Sequence, residues 1–191
     1  MKNKIIKYDF LIVGGGLIGS LAAICLSQKN YKVLVVEKNN LFTKDNRTLA
    51  VNSNSRDFLA SLGLWKILKT EHEPINTIII RDFINKESLS FNNKSESMGS
   101  VIFNKSLLKI SQDYLKKRNL LLTGIDLNIK NIKPKSKILI NSNYYYFKKI
   151  ILSVGKNEEK NEIINKIKFK SNHQAYVGFF QHQTNHNQKA Y

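Results

Sequence analysis

The sequence predicts an α/β fold built on a parallel sheet, and three adjacent observations carry the prediction. Tyr8-Asp9-Phe10-Leu11-Ile12-Val13 is a short apolar run, and it passes directly into Gly14-Gly15-Gly16-Leu17-Ile18-Gly19, which holds four of the chain's nine glycines. An uncharged stretch then continues to Gln28. A second apolar run, Lys32-Val33-Leu34-Val35-Val36, follows and stops at the acid Glu37. Continuous rather than alternating apolar residues suit strands buried on both faces, as in a parallel sheet. With 191 residues, 42% of them hydrophobic, the chain has the length of one domain of ordinary size, or of one and a half of something larger, and can bury a core. A wholly disordered chain is excluded.

The first thirty residues also imitate an export signal, because basic Met1–Lys7 precedes an uncharged run from Phe10 to Leu26. Four glycines in the middle of that run, and the second apolar segment behind it, fit a strand, a turn, a helix and a second strand instead. The glycines satisfy G-x-G-x-x-G. In that pattern the first allows a tight turn, the second lets backbone approach a pyrophosphate, and the third lets helix pack close on strand. The helix is predicted over 17–28, with its N-terminal dipole and N–H groups turned to the phosphates. Cys25 lies within it as a packing residue, and one cysteine excludes a disulfide framework or a multi-cysteine metal site. Asn30-Tyr31 makes the turn. Glu37, 23 positions after Gly14, puts a carboxylate at the tip of the second strand, where it can accept hydrogen bonds from an adenosine ribose and disfavours a 2′-phosphate. The unit is therefore Rossmann-like and binds a dinucleotide through Gly14, Gly15, Gly16, Gly19 and Glu37. FAD and NAD share the part that the loop recognises, and the motif does not separate them.

Further along, Asp45-x-Arg47-Thr48-x-Ala50 and Leu59-x-x-Leu62-Gly63-Leu64-Trp65 appear. With the opening Asp9-to-Glu37 unit, these stretches resemble the FAD-dependent aromatic hydroxylases, and among them the ubiquinone-biosynthesis hydroxylases. The resemblance implies that FAD is the cofactor, that NAD(P)H is the transient reductant and that Arg47 is a cofactor contact. A guanidinium beside the loop can neutralise pyrophosphate or flavin charge. Asn85–Ser97 reads as a loop or hairpin tip. Gly99–Leu108 resembles the family's crossing from the substrate sheet into a flavin-side helix, with helical spacing to Lys117; Lys105 stands where the family has arginine, keeping the charge without its bidentate geometry. Leu120–Thr123 reads as a strand. Ile138–Asn141 and Tyr144–Phe147 read as a hairpin, with the aromatic run packing by alternate faces.

Lys149–Gly155 resembles the strand entering the family's second cofactor motif, Asp-Gly. Here it reads Val154-Gly155, with Glu158 in place of a serine, so Gly155 is carried over as a cofactor position while the aspartate's hydrogen bonds are lost. Ala175–Phe180 reads as a substrate-domain strand. His173, His182 and His186 lack partners at ligand spacing, and no metal site is expected. The resemblance covers nearly all of this chain and about half of a family member. It divides the chain into a discontinuous FAD-binding domain, 1–72 with 99–165, and portions of an incomplete, mixed or antiparallel substrate-domain sheet, 73–98 with 166–191.

The net charge of +17 invites a nucleic-acid reading. Of 31 basic residues 27 are lysine, and 23 Asn and 23 Ile accompany them. All three have A/T-rich codons, so drift in an AT-rich genome accounts for the bias. The lysines are scattered, with no arginine–aromatic cluster, and nucleic acid is not expected as a partner. Diffuse positive charge is compatible with peripheral contact at the inner face of a membrane, in the cytoplasm. The resemblance implies a monooxygenase that hydroxylates a polyprenylated phenol, with flavin and O₂ doing the difficult step, and no catalytic side chain is named. The competing reading is a truncated, decaying or split-gene product, inactive alone, whose partner would be a C-terminal complementing polypeptide. An NAD-linked oxidoreductase shares the loop but leaves the Arg47 and Trp65 stretches unexplained.

Overall fold

In the computed structural model, residues 5–40, 46–68, 71–82, 84–93, 97–155 and 183–190 are described. The chain is α/β. Its main sheet holds β1 (Ile6–Val13), β2 (Val33–Glu37), β8 (Leu121–Thr123), β9 (Lys137–Ile140) and β10 (Asn143–Leu152) in the order β8-β2-β1-β10-β9. The β1–β2, β2–β8 and β1–β10 pairs are parallel, and only the β9–β10 hairpin is antiparallel.

Apolar residues on both faces of β1 and β2 explain why these strands sit in the middle. Ile12, Val33 and Val35 face one core, with Ala23 and Ile24 of helix α1 (Leu17–Gln28) and Leu107 and Leu115 of α4 (Asn104–Lys117). Leu11, Val13, Leu34 and Val36 face the other, with Ile129, Ile138, Ile140, Tyr145 and Phe147. Cys25 is partly buried against the first core, as a packing residue would be.

Two smaller, three-stranded sheets accompany this one. In the first, β7 (Gly99–Phe103) lies between β3 (Thr48–Asn52) and β4 (His72–Ile75), antiparallel to both. In the second, β5 (Thr77–Asp82) pairs with β6 (Glu87–Asn92) and with β11 (Lys189–Ala190). Between β3 and β4 run helices α2 (Ser53–Ser61) and α3 (Trp65–Leu68). Asn52 caps α2 by accepting from the Ser55 N–H at 2.9 Å. At the other end Gly63 has φ +74° and Leu64 N–H reaches back to Leu59 O, so the Leu62-Gly63-Leu64 stretch is a glycine C-cap with its leucines in the core.

Two readings of the sequence are sharpened. The segment 85–97, read as a loop or hairpin tip, carries the return strand β6 of a hairpin with β5; Leu89 and Phe91 alternate with serines along it, but all six of its residues are exposed. The Tyr144–Phe147 and Lys149–Leu152 runs are one ten-residue strand. Lys148 and Lys149 break its apolar pattern but not its pairing with β1. The expected strand 175–180, Asp45, Glu158, His173 and His182 lie outside the described residues.

Asp9, midway along β1, ties that strand to β10 and to the residue that precedes β2. Its carboxylate accepts from Lys148 Nζ at 2.7 Å and from Lys32 N–H at 2.9 Å. The Lys148 hydrogen bond, then the Lys32 backbone bond, hold Asp9 below its ordinary pKa of 3.8. A depressed carboxylate stabilises the fold above its unfolded pKa, and that contribution disappears as pH falls through the folded value. Asp9→Asn should therefore lower Tm slightly at pH 7, with the difference from wild type closing below about pH 3.8. A gap that widens on acidification would contradict this assignment.

Candidate functional site

The chain reaches β2 from β1 on one side and later lays β10 on the other, so the C-terminal end of β1 is a topological switch point. In open α/β sheets, crevices for ligands form at such points. A cavity of about 640 Å³ occupies this place. Its walls are the strand ends: Val13 and Gly14 from β1, Val36 and Glu37 from β2, Ile125 to Leu127 and Ile129 after β8, and Ser153 to Gly155 after β10. Gly16, Leu17 and Ile18 open α1 onto it, and Arg47, exposed, closes another side.

Each glycine of the loop has its own geometric reason. Gly14 has φ +105°, and a Cβ there would meet the Ser153 carbonyl oxygen at 2.6 Å. Gly15 is buried against Glu37, whose Cβ lies 2.9 Å from where its own would be. Gly19 packs on the Gly14 carbonyl and the Ser153 hydroxyl. Gly16 alone faces open space, with nothing within 4 Å of a Cβ position. No side chain caps α1 at Gly16. The first N–H groups of a helix have no partner in the helix itself, so an uncapped start on a cavity is fitted to an anion.

Glu37 does more than wait at the strand tip. Its Oε2 accepts from Gly15 N–H at 2.7 Å and its Oε1 from Asn39 N–H at 2.9 Å. The carboxylate thus fixes the loop while lining the cavity. Ser153 and Gln112 support the loop too, and sequence reasoning missed both. Ser153 Oγ lies 2.7 Å from Gly14 O and 3.1 Å from Val13 O. Gln112, buried on α4, donates from Nε2 to Gly15 O at 2.9 Å. Neither contact leaves a local sequence signal, because the partners are 97 to 140 residues apart.

Of the residues named from sequence, Gly14, Gly16, Glu37, Arg47 and Gly155 line the cavity, with Gly15 and Gly19 forming the packed layer behind it. Lys105 is not among the lining residues; its ammonium lies 5.1 Å from the centre of the Phe103 ring. Its neighbour Asn104 donates its N–H to the Arg47 carbonyl at 2.9 Å, so this helix start stands beside the arginine. The apolar wall of Ile125, Leu127 and Ile129 was not expected either; the three alternate with Asp126 and Asn128 as strand residues would, yet the stretch forms no strand.

Residues 7–136 match the FAD binding domain family. The chain belongs to it. Among curated relatives it is 26% identical over 125 residues to the ubiquinone biosynthesis monooxygenase COQ6 of Dictyostelium discoideum, covering 53% of this chain and 25% of that protein. It is 34% identical over 79 residues to the ubiquinone hydroxylase UbiL of Rhodospirillum rubrum, covering 39% and 18%. Among solved structures, p-nitrophenol 4-monooxygenase PnpA of Pseudomonas putida superposes with a TM-score of 0.60 at 15% identity, over 79% of this chain and 42% of that one. PqsL of Pseudomonas aeruginosa gives 0.58 at 14%, over 75% and 41%. The fold is thus that of FAD-dependent monooxygenases, and the chain spans a quarter or less of the length of these two curated relatives.

Among the described residues no group of three or more His, Cys, Asp or Glu side chains is placed to hold a metal ion. His186 Nε2 lies 3.6 Å from Glu73 Oε1, away from the cavity. No described helix is long and apolar enough to cross a membrane.

Proposed function

We propose that this chain holds FAD in the crevice at the end of β1 and is the cofactor-binding part of a flavin-dependent monooxygenase of the ubiquinone hydroxylase type. The observation that carries the reading is the uncapped start of α1 at Gly16, opening onto a cavity with Glu37 at one lip and Arg47 at another. The parts fit an adenosine diphosphate. Backbone N–H groups and the helix dipole at Gly16–Ile18 meet the pyrophosphate, with Arg47 as counter-charge. Glu37, held by Gly15 and Asn39, keeps carboxylate lone pairs for ribose hydroxyls. Ile125, Leu127 and Ile129 offer an apolar wall to the adenine. The flavin, when bound, supplies the redox and oxygen chemistry; the chain's task is orientation and charge.

The substrate class, a polyprenylated phenol, rests on the two ubiquinone-hydroxylase relatives, and NAD(P)H as reductant rests on the resemblance. A membrane-surface location would follow from such a substrate. A second reading is favoured by Val154, which cannot accept the hydrogen bonds of the aspartate that the resemblance places there. In this reading the chain binds the dinucleotide but turns over only with a complementing C-terminal polypeptide.

The test is direct. Purified protein mixed with FAD should show a bound-flavin spectrum, and Glu37→Ala should weaken uptake about tenfold or more, the loss expected when charge-assisted hydrogen bonds go. Equal uptake of NAD with no flavin bound would sink the proposal. Hydroxylation by the chain alone should be near zero; turnover without any second polypeptide would reject the second reading.

A further inference from the structure

We propose that Gln112 is a positioning residue: with Ser20 it latches the Gly15–Gly16 peptide plane so that the Gly16 N–H faces the anion end of the cavity. This inference deepens the reading above and rests on it for the identity of the anion.

Three consecutive glycines leave the loop's backbone free to rotate, because no Cβ restricts φ and ψ. The direction of each peptide must therefore be set from outside, and the structure supplies a holder for each one. Gly14 N–H donates to Val36 O at 2.8 Å. The Gly14–Gly15 peptide has Ser153 Oγ at its carbonyl and Glu37 Oε2 at its N–H. The Gly15–Gly16 peptide has two donors on its carbonyl, Ser20 Oγ at 3.0 Å and Gln112 Nε2 at 2.9 Å. In a trans peptide the C=O and the N–H point in opposite directions. With the Gly15 carbonyl drawn inward to α1 and α4, the Gly16 N–H is turned outward, on the residue that lines the cavity.

A flip of this plane would point a carbonyl dipole at the phosphates and leave Gln112 Nε2 buried without a partner. Gln112 is 4% exposed, so that orphaning is costly. Its Oε1 has no partner already, which leaves the amide held by its donor side alone. Ser20 belongs to the helix that the loop opens, five residues from Gly15, whereas Gln112 reaches the loop from another helix, 97 residues away. It thereby couples α4, which starts beside Arg47, to the phosphate loop.

The experiment compares wild type with Gln112→Leu, Gln112→Glu and Ser20→Ala, using ADP and adenosine as probes in calorimetric titrations and recording the Gly16 amide signal of ligand-free, 15N-labelled protein. A latch acting on one N–H should cost the diphosphate and spare the nucleoside. Gln112→Leu should weaken ADP about tenfold, the equivalent of about 1.4 kcal/mol, and leave adenosine within about twofold. Ser20→Ala should act in the same direction, and keeps the proposal testable if Gln112→Leu fails to fold. In ligand-free protein the Gly16 amide should shift or broaden in each folded variant. Unchanged ADP binding, or an equal loss of adenosine binding, would overturn the latch. Should wild type bind neither ADP nor FAD, the proposed function fails on its own account, and the Gly16 amide then decides the latch: an unmoved signal in Gln112→Leu and Ser20→Ala rejects it.

Discussion

Gly19→Ala should abolish dinucleotide uptake and lower Tm by several degrees, although the residue does not line the cavity. A methyl group there would press on the Gly14 carbonyl oxygen and on Ser153 Oγ, closer than side-chain carbons approach such atoms. Neither neighbour can step aside cheaply. The Gly14 carbonyl is backbone, and Ser153 Oγ already sits 2.7 Å from it, bracing β10 against the loop. Relief requires α1 to move off β1, which disturbs the loop it opens from. Overpacking of this kind costs about 1–3 kcal/mol, or roughly 2–10 °C in a chain of this size. Gly16→Ala is the control. It has φ −65° and nothing within 4 Å of its Cβ, so its Tm should be unchanged, with binding reduced only by the methyl group in the cavity. Thermal unfolding and FAD titration of the two variants decide the matter. Equal Tm and equal uptake for Gly19→Ala and wild type would show that the close packing is not what the third glycine is for.

The contrast between these two glycines also marks what a sequence can disclose. The β1–α1–β2 unit was legible almost to the residue, because every feature of it is local: apolar runs, four glycines at fixed spacing, an acid at a strand tip. The helix α1 has the expected bounds, Leu17–Gln28. What makes the loop rigid was not legible. Ser153 and Gln112 come to it from β10 and α4, and an isolated Ser or Gln carries no signal of a partner so far along the chain. The apolar wall was missed for a different reason: Ile125, Leu127 and Ile129 alternate with Asp126 and Asn128 at strand spacing, but the stretch forms no strand, and which way its apolar residues turn is set by the second core and the cavity. Arg47 and Gly155, carried over from resemblance, do line the cavity, whereas Lys105, carried over in the same way, does not. The strand β6 does carry a short alternation, Ser88-Leu89-Ser90-Phe91, but the polar residues around it masked the pattern, and both of its faces are exposed.

Phe147→Ala should be the most destabilising single truncation in the second core, and its effect should reach the site by way of that core. Phe147 is fully buried on β10. Its ring stacks on Tyr8 at 5.7 Å and on Tyr145 at 6.1 Å, and its neighbours in the core include Leu11, Val13 and Ile129. Truncating a buried phenylalanine removes transfer energy and leaves a cavity, about 3–5 kcal/mol together. That corresponds to a drop in Tm on the order of 10 °C. Tyr144 sits three positions away on the same aromatic run, but the residue is 38% exposed, so Tyr144→Ala should cost about 0.5 kcal/mol or less. Ile125, Leu127, Ile129 and Val154 belong both to this core and to the cavity wall. Loosening the core should therefore weaken FAD uptake moderately while leaving the glycine loop intact, a smaller loss of binding than Gly19→Ala gives at a larger loss of stability. Denaturant unfolding and FAD titration of Phe147→Ala, Tyr144→Ala and Gly19→Ala place the three on those two axes. If Phe147→Ala and Tyr144→Ala proved equally costly, the alternation of faces along β10 would be wrong, and with it the assignment of the wall that the cofactor's adenine meets.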